Sequence, residues 1–308
     1  MIGEINMGKF YDGIMGIVVG DAVGVPFEFK RRDTFKATDM TGYGTYHQPV
    51  GTWSDDSSLT LATVESLARL GKIDLKDIMQ NFYYWLYYGE FTPYGNTFDV
   101  GNTTRGAIYR FECGMSPKEC GGKTIMDNGN GSLMRILPMA FIPCNMLDVY
   151  DVSDLTHAHY ISEIACGIYY NIAHYLIKGE QKHEAVKSAC FVSGGVPAPF
   201  ERIEIINTCP VDRDEIKSTG YVVNSLEAAL WCFLNTDNYR DCILTAVNLG
   251  EDTDTIAAIA GGLAGIYYGV GGEKGIPEAW IEQIARKEYI KELCDAFENK
   301  FNLNEVQS

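Results

Sequence analysis

Apolar residues recur along most of this chain at the three- and four-residue spacing that places them on one face of an α-helix. The pattern runs through Ile161–Leu176, Leu226–Phe233, Ile243–Val247 and Ile256–Tyr267. Alanine, glycine and serine are frequent in these segments, which suits close packing of a buried central helix. Regular alternation of polar and apolar residues, the sign of a strand, is rare. The pattern therefore predicts an all-α protein.

We expect residues 1–308 to form a single domain, because no long linker divides them and no internal repeat is visible. Four long connections interrupt the helical pattern, at Lys30–Trp53, Gly89–Asn102, Asp127–Ser132 and Ser193–Gly220. Long connections in a compact domain are usually functional or disordered. These connections carry Trp, Tyr and Phe side chains, so we expect them to be functional.

The composition limits the classes of partner. The net charge is −16 at pH 7, which argues against nucleic acid or an anionic membrane as a general partner. Nine cysteines are scattered without a Cys-x-x-Cys pair, so we expect free thiols in a reducing cytoplasm. The chain start lacks a signal-peptide pattern, and the longest apolar stretch, Ile14–Val25, is interrupted by Asp21. We therefore predict a cytoplasmic protein in which no stretch is long enough to span a bilayer.

Two short acidic clusters, Ser54–Asp56 and Asp252–Thr255, carry the strongest chemical signal. Each opens a helical pattern, and together they offer four carboxylates and at least two hydroxyls. Oxygen ligands of this kind suit Mg²⁺ or Mn²⁺ and not zinc. A single aspartate at such a position would be interpreted as a helix N-cap. Two features favour a metal site instead. The first cluster has two adjacent acids, Asp55 and Asp56, and the second cluster is followed by an almost wholly apolar helix, beside which unpaired charges would be costly.

Three further segments carry candidate chemistry. Asp21 lies within an apolar helical pattern, and Glu28 lies between two phenylalanines, a setting that raises the pKa of a carboxyl group. A diphosphate could bind to backbone N–H groups in the Asp127–Ser132 connection and at the helix start expected at Leu133–Arg135. An ordinary Asn-Gly turn has the same composition and is the alternative interpretation of this segment. His157 is predicted at the start of a long helix, where a lone histidine is more often structural than catalytic.

Taken in order, these segments resemble the ADP-ribosylglycohydrolase family, which includes dinitrogenase reductase-activating glycohydrolase. The matching stretches include GIVVGDAVGVPFE at Gly16–Glu28, GTWSDDS at Gly51–Ser57, FDVGNTTRG at Phe98–Gly106, NGNGSLMRILPMA at Asn128–Ala140, GYVVNSLEAALWCF at Gly220–Phe233 and GEDTDTIAAIAGG at Gly250–Gly262. No single stretch is specific, whereas the ordered set is. The resemblance implies a compact orthogonal helical bundle with a centre of two divalent cations, Mg²⁺ or Mn²⁺.

The same resemblance assigns roles to individual residues. The metal ligands would be Ser54, Asp55, Asp56, Asp252, Asp254 and Thr255. The family more often has threonine at position 54, and serine keeps the ligating hydroxyl. The candidate catalytic acids would be Asp56, Glu28 and Asp99. The ribose and diphosphate would be held by Gly129, Asn130, Gly131, Ser132 and Met134, and the ADP-ribose pocket would be lined by His157 and Tyr221.

The implied activity is hydrolysis of the glycosidic bond between ADP-ribose and a modified protein side chain or another ADP-ribosyl acceptor. The acceptor stays open among arginine, serine, a nucleic-acid end and a free ADP-ribose derivative. One alternative is another all-α Mg²⁺-dependent enzyme acting on a nucleotide or diphosphate, although the Asp-Asp-x-x-Asp spacing of isoprenoid synthases is missing after Asp56. A second alternative is a non-catalytic, ADP-ribose-binding or crystallin-like member of the fold.

Overall fold

The computed structural model of this chain describes residues 8–192 and 195–303. Its α-helices are α1 (Lys9–Gly24), α2 (Asp55–Leu70), α3 (Leu75–Tyr88), α4 (Asn102–Glu112), α5 (Pro117–Cys120), α6 (Met146–Asp154), α7 (Tyr160–Ile177), α8 (Lys182–Val192), α9 (Arg202–Thr208), α10 (Val222–Leu234), α11 (Tyr239–Val247), α12 (Thr253–Tyr268), α13 (Glu278–Ile281) and α14 (Lys287–Lys300). Short 3₁₀ helices lie at Val25–Phe27, Gly44–Tyr46, Ile125–Asp127, Leu133–Arg135, Leu137–Phe141 and Arg213–Glu215. Strand-like pairing within the described ranges is limited to isolated bridges, so the all-α prediction is confirmed.

Helices α1 and α12 pack antiparallel at the centre of the fold, in direct backbone contact. Gly16 meets Gly261 near the middle of the pair, and Gly24 meets Asp254 at one end. A β-carbon on Gly16 would lie 2.2 Å from the Gly261 carbonyl oxygen, and one on Gly24 would lie 2.3 Å from Asp254 Cα. Glycine is required at these positions because the backbones approach so closely. This contact places the end of α1 against the start of α12.

Helix α1 and the 3₁₀ turn after it have the length and composition of a membrane-spanning segment. Over Lys9–Phe27 the mean hydropathy is 1.3, and 89% of the window is buried inside the bundle. The apolar character therefore belongs to the protein core. The prediction that no stretch reaches this length is wrong, because Asp21 is accommodated within the helix by hydrogen bonds from Ser54 and Ser57.

Helix α2 begins at Asp55 and buries polar as well as apolar side chains. Ser58, Thr60 and Thr63 each donate a hydroxyl hydrogen to the carbonyl four residues earlier, at 2.7–2.9 Å. These bonds satisfy the hydroxyls inside the bundle. The first turn, with Asp55 and Asp56, is thereby held in the protein interior.

Two predictions about the connections are wrong. His157 lies before α7, in a segment that pairs with Gly122, because the helix begins only at Tyr160. The connection from Ser193, which lies outside the described residues, to Gly220 contains helix α9. In that helix Ile203 and Ile206 are buried, but seven residues give too few apolar positions for a visible period.

Candidate active site

A cavity of about 210 Å³ lies where the starts of α2, α4 and α12 meet the connections beside them. The predicted site residues that line it are Glu28, Asp55, Asp99, Gly129, Asn130, Gly131, Met134, His157, Asp252 and Thr255. The fold therefore brings most of the predicted residues together from distant parts of the chain.

Asp21 holds the first turn of α2 against α1. Its carboxylate accepts hydrogen bonds from the Ser54 backbone N–H at 2.9 Å, from the Ser57 N–H at 3.1 Å and from the Ser57 hydroxyl at 2.5 Å. The residues at the N-cap positions of α2 and α12, Ser54 and Asp252, make no side-chain capping bond. Helix capping therefore does not explain the acidic clusters.

The buried carboxylates form two groups that share one member. In the first group, ligand atoms of Asp21, Asp56 and Asp254 all lie within 4.8 Å of one another. In the second group the same holds for Glu28, Asp99 and Asp254. Asp254, in the first turn of α12, therefore links the two groups.

Three carboxylate oxygens of these groups are buried without a hydrogen-bond partner among the described residues: Glu28 Oε2, Asp56 Oδ1 and Asp254 Oδ2. Burial raises the pKa of Asp56 and of Asp254 well above the usual range. Burial, together with the negative charge of Asp99, raises the pKa of Glu28 to about 9. Buried carboxylates of this kind are costly unless a cation compensates them. Their all-oxygen donor set fits hard divalent cations such as Mg²⁺ and Mn²⁺.

The remaining predicted metal ligands surround Asp56. The Ser54 hydroxyl donates to Asp56 Oδ2 at 3.0 Å, and the Thr255 hydroxyl donates to the same oxygen at 3.4 Å. Asp55 and Asp252 line the cavity. Burial raises the pKa of Asp55 well above the usual range and that of Asp252 to about 6. The six predicted ligands therefore lie around one acidic centre.

The two other predicted acids, Glu28 and Asp99, are connected through Tyr46. The Tyr46 hydroxyl donates to Asp99 Oδ1 at 2.8 Å and also contacts the Glu28 carboxyl group. Asp99 adopts a left-handed backbone with φ of 51°, and burial raises its pKa. Sequence reasoning misses Tyr46, because no spacing or motif marks this one tyrosine within a long connection.

Gly129 and Gly131 keep space open beside His157. A β-carbon on Gly131 would lie 2.8 Å from His157 Cε1, and one on Gly129 would lie 3.5 Å from His157 Nε2. Between the glycines, the Asn130 side-chain amide donates to Asp252 Oδ2 at 2.7 Å. Asn130 thus ties the glycine segment to the acidic centre.

The three other predicted binding residues differ in position. Met134 lines the cavity. Ser132 is fully buried, accepting from the Ser153 hydroxyl at 2.9 Å and contacting Cys166 Sγ at 3.4 Å. Its hydroxyl therefore supports the packing of α6 and α7 and does not line the cavity. Tyr221 precedes α10, is 37% exposed and pairs with the glycine segment through an isolated bridge.

A buried chain of hydrogen bonds orients His157. Arg135 is fully buried and donates to the Val152 carbonyl at 3.0 Å and to Thr156 Oγ1 at 2.8 Å. Thr156 Oγ1 lies 2.8 Å from His157 Nδ1. Because this hydroxyl already accepts from Arg135, we assign its hydrogen to Nδ1, which leaves the N–H on Nε2, beside Gly129. Burial and the nearby Arg135 charge lower the pKa of His157 to about 3, so its ring is neutral.

The helical fold places a buried carboxylate centre beside a glycine-lined cavity, the arrangement of an all-α protein with a candidate active site. A family model described as ADP-ribosylglycohydrolase matches residues 5–307, and the chain belongs to the ADP-ribosylglycohydrolase family. It is an enzyme of the ADP-ribosyl hydrolase class. The family resemblance seen in the sequence is thereby confirmed.

Two similar proteins, from Serratia proteamaculans (strain 568) and Pseudomonas putida (strain GB-1), are named ADP-ribosylarginine hydrolase Tri1. The first is 34% identical over 299 residues, which cover 94% of this chain and 79% of the relative. The second is 35% identical over 292 residues, which cover 91% and 75%. A solved structure described as an ADP-ribosylglycohydrolase-related protein complex matches with a TM-score of 0.80 and 29% identity, over 95% of this chain and 97% of that one.

Proposed function

We propose that this enzyme hydrolyses the N-glycosidic bond between C1″ of ADP-ribose and the guanidino group of an arginine side chain, using two Mg²⁺ or Mn²⁺ ions. The observation that carries the proposal is the pair of buried, unpartnered oxygens Asp56 Oδ1 and Asp254 Oδ2, because Asp254 belongs to both groups of closely spaced carboxylates. The choice of arginine is supported by the relatives at 34% and 35% identity, whose names specify ADP-ribosylarginine.

The proposed ligands of the two ions are Ser54, Asp55, Asp56, Asp252, Asp254 and Thr255. Asp254 belongs to both carboxylate groups, so it is the proposed shared ligand. Asp21 already accepts several hydrogen bonds, and we assign it to positioning α2. Bound cations would supply Lewis-acid chemistry, polarising ribose hydroxyls and lowering the pKa of a water molecule.

The glycine segment and its neighbours are proposed to bind the ADP-ribose part of the substrate. Gly129 and Gly131 leave the space that the ribose and diphosphate need, and Met134 lines the same cavity. The neutral His157 ring presents its Nε2–H as a donor to a ligand oxygen. Tyr221, at the outer edge, offers an aromatic face to the remainder of the ligand.

Cleavage of this bond passes through an oxocarbenium-like state at C1″. Water forms the new bond to C1″, the bond to the guanidino nitrogen breaks, and that nitrogen gains a proton as arginine leaves. We assign Asp56 to accept the proton of the attacking water, because it lies fully buried at the centre of the proposed ligands. Glu28 and Asp99 are the acids assigned to the leaving group.

Single-turnover hydrolysis of ADP-ribosylarginine and ADP-ribosylserine, with Mg²⁺, Mn²⁺ or a chelator, tests the proposal. We expect metal-dependent cleavage of the arginine substrate. Asp56→Asn should reduce the rate by roughly a hundredfold or more, the usual scale for losing a general base, while ADP-ribose still binds. Glu292→Gln removes one charge from an exposed position of α14 and should have wild-type activity. Metal-independent cleavage, or cleavage of the serine substrate alone, would refute the proposal.

The expected partner is an ADP-ribosylated protein or small molecule. Cytoplasmic location and the lack of a general nucleic-acid or membrane partner stay predictions. They rest on the net charge of −16 and on the sequence patterns described above.

A further inference from the structure

Three aromatic side chains form a row beside the acids Glu28 and Asp99. The ring centroid of Tyr46 lies 6.4 Å from that of Phe29 and 5.1 Å from that of Phe98. The Tyr46 hydroxyl donates to Asp99 Oδ1 at 2.8 Å, which ties Tyr46 to an acid that lines the cavity. Phe29 and Phe98 directly adjoin Glu28 and Asp99 in the chain. We call Phe29, Tyr46 and Phe98 the aromatic row.

Phe29 is held in a costly conformation with little burial in return. Its φ is 63°, in the left-handed region that a bulky residue rarely adopts. Its side chain is 70% exposed, so hydrophobic burial does not offset the cost. The Phe29 N–H donates to the Glu251 carbonyl at 2.7 Å, which holds the backbone in this state beside the acidic centre. Strained residues cluster at active sites and ligand clamps, so this conformation beside the acidic centre fits a residue that contacts a ligand.

The cavity next to the aromatic row is rich in carboxyl groups. Glu28, Asp55, Asp99 and Asp252 line it, and the described residues that line it include no lysine or arginine. Glu28 is 5% exposed, and its Oε2 has no hydrogen-bond partner among the described residues. Glu28 and Asp99 are not among the six proposed metal ligands, and the unpartnered Glu28 Oε2 can accept a hydrogen bond from an acceptor. A cationic acceptor is therefore favoured over a neutral one.

A guanidinium group matches both features of this place. It is planar and always charged, donates paired hydrogen bonds to carboxylates and stacks on aromatic faces. We infer that the aromatic row and the two acids form the acceptor subsite, which selects a guanidinium over a neutral acceptor; the inference rests on the proposed function. Within it Phe29 and Phe98 contact the cation, and Tyr46 positions Asp99.

Binding of agmatine to the ADP-ribose-loaded protein tests this subsite without turnover. N-carbamoylputrescine is the matched control ligand, because it replaces the charged guanidinium with a neutral urea of the same shape. In calorimetry, Phe29→Leu and Phe98→Leu should weaken agmatine binding roughly three- to thirtyfold, the range of a cation–aromatic contact. The affinity for ADP-ribose should not change. Phe29→Tyr keeps an aromatic ring and should bind agmatine as the wild type does. N-carbamoylputrescine should bind weakly to every variant.

Kinetics separate the subsite from the proposed reaction. Both leucine variants should raise KM for ADP-ribosylarginine more than they lower kcat. Unchanged agmatine affinity in both, with ADP-ribose binding intact, would overturn the subsite even in an enzyme that cleaves ADP-ribosylarginine. Ring-dependent agmatine binding by a protein that leaves ADP-ribosylarginine intact would support the subsite and refute the proposed reaction.

Discussion

Alanine at Gly24 is expected to displace the acidic centre, because this glycine sets the distance between α1 and the start of α12. A β-carbon at position 24 would lie 2.3 Å from Asp254 Cα and 2.5 Å from Asp254 N. Both are backbone atoms, so no side-chain rotation relieves the overlap. Ordinary contacts of a β-carbon begin at 3.4 Å, so the backbone at Asp254 must retreat by about 1 Å.

The size of the effect follows from this displacement. Overpacking a core costs about 1–3 kcal/mol, whereas replacing a helical glycine by alanine otherwise gains about 0.5–1 kcal/mol. We expect a net loss of about 1–2 kcal/mol in the free energy of unfolding. A misplacement of about 1 Å at a catalytic centre can reduce turnover by roughly a hundredfold. Because Asp254 belongs to both carboxylate groups, Gly24→Ala should show both losses.

Gly16→Ala is the matched control. Its β-carbon would lie 2.2 Å from the Gly261 carbonyl oxygen, a comparable clash near the middle of the same helix pair and about two helical turns from Asp254. Urea unfolding should show a similar loss of stability for both variants, and single-turnover hydrolysis should show the large rate loss only for Gly24→Ala. Wild-type turnover by Gly24→Ala, or equal rate losses in both variants, would refute the view that this contact positions the centre.

Three other predictions follow from the buried polar groups. As the pH falls from about 8 to about 5, the unfolded chain protonates residue 157 near pH 6.5 while His157 in the fold stays neutral, so the contribution of His157 to stability should fall by about 2 kcal/mol. The buried acids, whose pKa is raised, act in the opposite direction in the wild type and in His157→Gln alike, so in urea unfolding at the two pH values the stability of His157→Gln should improve by about 2 kcal/mol relative to the wild type, and an unchanged difference would contradict the assignment. Asp254→Asn removes the charge of a buried carboxylate whose Oδ2 has no hydrogen-bond partner among the described residues, so with chelator the variant should melt no lower than the wild type. Mg²⁺ should no longer raise its Tm, and a Tm rise equal to that of the wild type would exclude Asp254 as a ligand. Ser57→Ala removes the hydroxyl that donates to the buried Asp21 carboxylate, so it should lower the free energy of unfolding by about 1–3 kcal/mol in urea unfolding. Unchanged stability would show that the buried Asp21 carboxylate does not need this hydrogen bond.

The long helices and the acidic clusters at their starts are predictable from the sequence, because both signals are local. Apolar periodicity over many residues identifies α7 and α12, and the acids before the apolar run mark where α12 begins. Helix α9 is too short to give such a signal. The position of His157 is set by pairing with Gly122, a contact between segments that sequence spacing does not encode.

Side-chain direction within a motif is the part that local sequence does not supply. Ser132 belongs to a glycine-rich segment typical of anion binding, yet its hydroxyl bonds with Ser153 because α6 packs behind that segment. Tyr46 contacts Asp99, which lies 53 positions further along the chain, and only the tertiary fold brings the two together. Motif resemblance therefore predicts the carboxylates at the helix starts, such as Asp55, Asp56 and Asp254, better than it predicts the rim of the cavity. By the rim we mean the residues of the long connections beside it, such as Phe29, Tyr46 and Phe98. On our assignment the acceptor subsite belongs to that rim, so substitutions at Phe29 and Phe98 should change acceptor selection without altering the metal centre.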